Sequence, residues 1–137
     1  MEFGGIQSSP LTVGIAPAAP AVFPNGVVNT LDNSLNPAAG VSRGGYLTLY
    51  ATGGGLTDGA PIDGQFSSQA AKIVAPISVQ IGGLDAVVTY AGDAPGLVSG
   101  ALQINVQVPA NTPAGSAIPL LVNIAGVTAP AIGVAVK

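Results

Sequence analysis

The run Leu102-Gln103-Ile104-Asn105-Val106-Gln107-Val108 alternates without a break between an aliphatic and an amide side chain. Successive side chains of a strand point to opposite faces, so a strand sorts this run into one apolar and one polar face. A helix would scatter it around the cylinder. Residues 45–52 (GYLTLYAT) repeat the pattern, with Tyr46, Thr48 and Tyr50 on one side and Leu47, Leu49 and Ala51 on the other. Ile77 to Ile81 and Ala86 to Ala91 flank Gly82-Gly83, a strong two-residue hairpin signal. Ile118 to Ile124 is expected to pair with Val127 to Val136 across Ala125-Gly126.

Weaker strand signals precede these. Leu11 to Ala16 (LTVGIA) reads as the first strand and Ala21-Val22-Phe23 as a short edge strand. Residues 25–40 read as turns and a brief hairpin, punctuated by Asn-Gly and Asn-Pro. Gly53 to Pro76 is a long connection, within which Ser67 to Val74 has the only helix-like spacing, enough for two turns. With 20 Gly and 12 Pro separating apolar runs, the expected fold is all-β. An immunoglobulin-like sandwich of about seven or eight short strands leads, and a closed barrel is the runner-up.

Composition narrows the function classes. Only 7% of residues are charged, with three Lys and Arg together and a net charge of −3. So few cations cannot neutralise a run of phosphates, which makes nucleic acid a poor partner. There is no His and no Cys, which removes the commonest general base, the thiolate nucleophile and the usual transition-metal ligands. Ala117 to Val136 is apolar enough to raise a membrane span, but Pro119, Asn123, Gly126 and Pro130 interrupt it, so two strands are expected instead. Met1-Glu2-Phe3 reads as a start residue and a cloning remnant, consistent with a removed leader.

Several places invite chemistry. Lys72 near Ser67 and Ser68 is the only arrangement resembling a base and a nucleophile, without a recognised motif, and a solvated loop lysine is the plainer reading. Asp58 and Asp63 in LTDGAPIDG offer oxygen ligands for Ca²⁺, although no acidic residue closes a twelve-residue loop and Asp-Gly is also an ordinary turn pair. Gly53-Gly54-Gly55 lacks the Gly-Lys-Ser/Thr ending of a phosphate loop. Tyr46 and Tyr50 share a strand face and offer a small sugar platform; half-buried strand rings with wet hydroxyls are the alternative. An isopeptide cross-link would need Lys72 buried beside an Asn or Asp. No catalytic residue, cofactor or firm metal site is expected.

The sequence also repeats itself. Residues 5–13 (GIQSSPLTV) resemble residues 126–134 (GVTAPAIGV), with one gap allowed. Either the N-terminal segment is the last strand of a preceding, similar module, or two Gly- and Pro-punctuated apolar strands coincide. Residues 1–16 are accordingly set apart from a domain at 17–137.

An ordered set of short motifs points to a family. Val79-Gln80-Ile81-Gly82-Gly83, Val88-Thr89-Tyr90-Ala91-Gly92, Ala94-Pro95-Gly96-Leu97, residues 103–109 (QINVQVP) and Pro113-Ala114-Gly115 follow one another. Upstream stand residues 18–23 (AAPAVF), Asn36-Pro37-Ala38 and Leu49-Tyr50-Ala51-Thr52-Gly53. Together they resemble the Solibacter-type C-terminal β-sandwich domain family of secreted bacterial proteins, which is similar to the IPT/TIG immunoglobulin-like fold. Pro20-Ala21 stands where that family often has Pro-Gly, and Gly53-Gly54-Gly55 where Thr-Gly-Leu-Gly is usual; both departures touch loops. The resemblance implies a non-catalytic structural or adhesive module, secreted or on a bacterial cell surface. Its partners would be neighbouring domains or a surface protein or glycan. A carbohydrate- or Ca²⁺-binding module and a self-assembling subunit that exchanges edge strands are the alternatives.

Overall fold

The computed structural model describes residues 2–59, 62 and 64–137, with side chains from residue 4 onward, and these residues form strands, turns and loops with no helix. The strands are β1 (Glu2–Phe3), β2 (Ile6–Gln7), β3 (Ala21–Asn29), β4 (Tyr46–Thr52) and β5 (Ile77–Ile81), then β6 (Leu84–Asp93), β7 (Leu102–Gln107), β8 (Gly115–Ile124), β9 (Val127–Thr128) and β10 (Ile132–Val136). One antiparallel sheet runs β3-β4-β7-β6 and a second runs β6-β5-β8-β10, with β9 on β8 and with β1 and β2 paired apart. That order is the one an immunoglobulin-like sandwich uses.

β6 belongs to both sheets. Residues 84–86 pair with β5 and residues 87–93 with β7. At the opposite corner, Val41 pairs in parallel with Val136. Val41 N–H donates to the Ala135 carbonyl at 3.0 Å and Lys137 N–H to the Val41 carbonyl at 2.8 Å. The same segment passes to β7, where Gly44 N–H donates to Val108 O at 2.9 Å. The all-β sheet is therefore closed almost into a barrel, as the runner-up of the two expected architectures has it.

The alternating runs sort as their pattern dictates. Leu47, Leu49, Ile104 and Val106 fill the core from one sheet and Ile81 and Val122 from the other, all at most 1% exposed. Gly82 and Gly83 both take positive φ in the turn between β5 and β6, which only glycine adopts freely.

Three expectations fail. Residues 25–29 are not turns: β3 continues through them, and a bulge between Val22 and Val27 absorbs Pro24-Asn25-Gly26, with Asn25 at φ 56°. The helical turns at 67–74 do not form, because residues 71–74 lie as an extended segment along β6. Ile73 N–H donates to the Ala91 carbonyl at 3.0 Å and Asp93 N–H to the Ala71 carbonyl at 2.8 Å. Residues 11–16 pair with no strand, and the outermost strands of the sheet order are β3 and β10.

The chain crosses the domain from end to end. β3 begins beside the end of β4, where Ala21 faces Thr52. Here Ala18 and Pro20 are buried, and Ala19 N–H donates to the Gly53 carbonyl at 2.9 Å. Gly53 and Gly55 both have positive φ, and a methyl on either would overlap the carbonyl of Ala19 or of Pro17. The glycine run exists to let the incoming chain pass. β10 ends at the other pole, where Arg43 N–H donates to the Lys137 carbonyl at 3.2 Å.

Asn36 stitches that pole together. It is buried, its Oδ1 accepts from Ala135 N–H at 2.7 Å, and its Nδ2 donates to the Ala135 carbonyl at 3.0 Å. One side-chain amide thus replaces a strand neighbour for β10. Asn36→Ala leaves Ala135 N–H without its acceptor, while the Ala135 carbonyl keeps Val41 N–H, and should cost about 1–3 kcal/mol, read as a lower urea midpoint at constant slope. Thr112 is the reverse case: its Oγ1 is buried without a partner. Thr112→Val keeps the shape, so the unfolding free energy should stay level or rise by up to about 1 kcal/mol.

Candidate functional site

The long connection after β4 builds a cleft at the edge of the first sheet. Residues 71–74 extend the first sheet beyond β6, and residues 56–58 add to their far side through Thr57 and Ile73. Asp58 N–H donates to the Lys72 carbonyl at 2.8 Å. Residues 65–67 instead pair with the loop between β6 and β7, where Ser67 N–H donates to the Leu97 carbonyl at 2.8 Å and Ser99 N–H to the Gln65 carbonyl at 2.9 Å. Between these two arms lies a space of about 210 Å³ bordered by Ile62, Gln65, Phe66, Ser68, Asp93 and Ser99. That is below the roughly 300–1,000 Å³ of common ligand pockets.

Asp93 is the distinctive residue of the cleft. It is only 4% exposed, and no donor among the described residues reaches its carboxylate. Its backbone is fixed on both sides: its N–H is held by Ala71, and its carbonyl accepts from the Tyr90 hydroxyl at 2.7 Å. A methyl on the intervening Gly92 would collide with the Ala71 carbonyl and press on the Tyr90 hydroxyl. Glycine is thus what lets this corner close. Sequence reasoning missed Asp93, because the strand it expects ends at Ala91, two residues short of it.

The residues singled out from the sequence are distributed differently. Asp58 is exposed, and its carboxylate accepts from Lys72 N–H at 2.7 Å, so one lobe already serves as a loop clasp. Asp63 lies outside the described residues. Among those described, no group of three or more His, Cys, Asp or Glu gathers for a metal. Ser67 Oγ donates to the Gln69 carbonyl at 2.8 Å, which turns its proton to the backbone and away from a base. Lys72 is exposed, so the burial that an isopeptide bond needs is missing.

Tyr46 and Tyr50 do share the outer face of β4, opposite Gln107 and Gln103 of β7. Tyr46 is the more exposed, and Thr48 between them is buried, its hydroxyl 3.0 Å from that of Thr30. The third tyrosine joins the same face, since Tyr90 opposes Asn105, which opposes Thr48. All three tyrosines of the chain therefore decorate one sheet surface floored by amides.

Burial, and then the nearby carboxylates of Asp93 and Asp58, push the Tyr90 phenol above its ordinary value of 10.0. The protonated phenol is the form the fold favours. Its contribution to stability is whole below the unfolded value and is lost as pH rises through the folded one. An absorbance titration of the phenols should contain a step displaced above pH 10 that disappears in Tyr90→Phe.

No family model, curated protein or solved structure matches this chain, so the functional case rests on its own geometry.

Proposed function

We propose that the chain is a non-catalytic structural module of a larger exported bacterial protein, set head to tail with domains of similar build. The observation that carries this reading is the polarity of the fold. The first core strand starts at one pole, against Thr52 and Gly53, and the last strand ends at the opposite pole, against Arg43. A domain threaded this way adds its own length to a row and transmits tension from end to end. The lack of His and Cys supports the non-catalytic part, and the Solibacter-type motif order supports the exported setting.

Two full copies joined tail to head test the reading by small-angle scattering and thermal unfolding. The expected particle has nearly twice the maximum dimension of one copy, and both units melt at the midpoint of the single chain. A compact particle with the two copies packed side by side would sink the proposal.

A second reading is favoured by one residue. Asp93, 4% exposed overall and lining the cleft with no donor to its carboxylate among the described residues, suits a small ligand that brings a positive charge or hydroxyl groups, such as Ca²⁺ or a sugar. Calorimetric titration with Ca²⁺, and separately with common hexoses, should give saturable heat that Asp93→Asn abolishes. Flat titrations rule this reading out and leave the first untouched.

A further inference from the structure

The N-terminal segment, whose residues 11–16 lie in no strand of the domain, is built like the end of the chain. β1 and β2 form a hairpin in which Glu2 faces Gln7 and Phe3 faces Ile6. The end of β8 and β9 form another, in which Asn123 faces Thr128 and Ile124 faces Val127. Both hairpins turn on two residues at positive φ: Gly4 and Gly5 at 59° and 76°, Ala125 and Gly126 at 54° and 81°. The two turns fix an alignment without any gap, Glu2 on Asn123 through Ala16 on Lys137.

That alignment keeps the strand phase. Leu11, Val13 and Ile15 fall on Ile132, Val134 and Val136. In β10 the latter two are 0% and 4% exposed and face the core. In the N-terminal segment Leu11, Val13 and Ile15 are 84%, 68% and 95% exposed. Three aliphatic side chains at strand spacing, preceded by the same hairpin, are thus left in water. A random apolar stretch would have an even chance of the opposite phase and no reason to carry the turn.

We infer that residues 2–16 are a second last-hairpin-and-strand unit, whose partner is the β8-type strand of the module preceding this one. The inference rests on the head-to-tail reading above and specifies the contact by which one module is completed from the chain that leads into the next. Within this chain the seat is filled: β10 runs antiparallel to β8, with Ile132 facing Leu120 and Val134 facing Ile118. An equivalent seat upstream would receive Leu11 and Val13 at those positions. The seat tolerates the differences. Thr12 would stand for Gly133, where an added Cβ meets Ala117 at 3.4 Å, and Gly14 would stand for Ala135 with one methyl fewer. Pro17, which follows, ends the pairing and hands the chain to Gly53 to Gly55 of the next domain.

The test joins residues 1–122 to a complete second copy beginning at Glu2, so that residues 2–16 of the second copy take the place of Asn123–Lys137 in the first. A reference chain joins residues 1–137 to the same second copy. The expected result is two folded units in both chains. Backbone amides of the junction residues 11–15 should be strongly protected from hydrogen exchange in the first chain and unprotected in the reference. Val13→Asp at the junction should unfold the first unit of the first chain alone and leave the reference unchanged. An unfolded first unit with exposed junction amides, beside an intact reference, overturns the strand assignment and leaves the head-to-tail reading standing. A reference chain that collapses into a side-by-side particle overturns the head-to-tail reading on which the assignment depends.

Discussion

Everything in this fold depends on how β6 divides its hydrogen bonds. Its first residues pair with β5 and its later ones with β7, and a register shift between Val88 and Tyr90 lets the strand bend from one sheet into the other. A sandwich with such a shared strand needs no separate corner on that side. Leaving β5, however, frees the edge of β6 after Ala86, and a bare strand edge is costly where it nears the core, along Ala91 to Asp93, because its amides would lack partners. Residues 71–74 cover it, and residues 56–58 cover them. The cleft with Asp93 is a consequence of that cover: the connection must fold back twice to reach the edge, and the space between its arms remains.

The opposite corner solves the same problem with a side chain. β10 is an edge strand, and a full strand beside it would close the barrel. The chain instead places Val41 in parallel pairing and lets the Asn36 amide bond Ala135 on both its donor and its acceptor. A carboxamide has the same donor and acceptor set as a peptide group, which is why Asn can stand in for a missing strand residue. The pole where the chain exits is thereby tied to the segment that starts β4.

How much of this the sequence discloses depends on whether a residue's partner is near in the chain. The hairpin at Gly82-Gly83 and the alternation at 102–108 were legible because period and turn chemistry are local properties. β3 was cut short in the sequence reading because Pro24-Asn25-Gly26 has turn composition, and a bulge uses the same residues for the same backbone reasons. Residues 67–74 looked faintly helical because Ala-Ala-Lys-Ile has no strand pattern of its own; only the free edge of β6 makes it extended. The tyrosine face was half visible: Tyr46 and Tyr50 follow from one strand, whereas Tyr90 joins them through pairing with Asn105. Asp93 and Asn36 were not legible as key residues, since both matter through contacts made by distant segments.

The segment Leu11 to Ala16 differs from these cases, because it has an alternating pattern and yet lies in no strand of the described residues. A strand-forming sequence can be read correctly and still lack a sheet, as pairing is a property of two segments. The hairpin before it argues against chance. A two-residue turn at positive φ costs little at Gly4 and Gly5, yet at Ala125 it costs a β-carbon clash, so the turn geometry is kept at both places despite different residues. Packing constrains the C-terminal copy through the core that Val134 and Val136 complete. The same turn, the same spacing and the same phase in the N-terminal copy are what a core elsewhere would require of it. On the head-to-tail reading proposed above, a chain that crosses each domain from pole to pole would meet that core on the side it comes from, which is why the proposed partner sheet lies upstream.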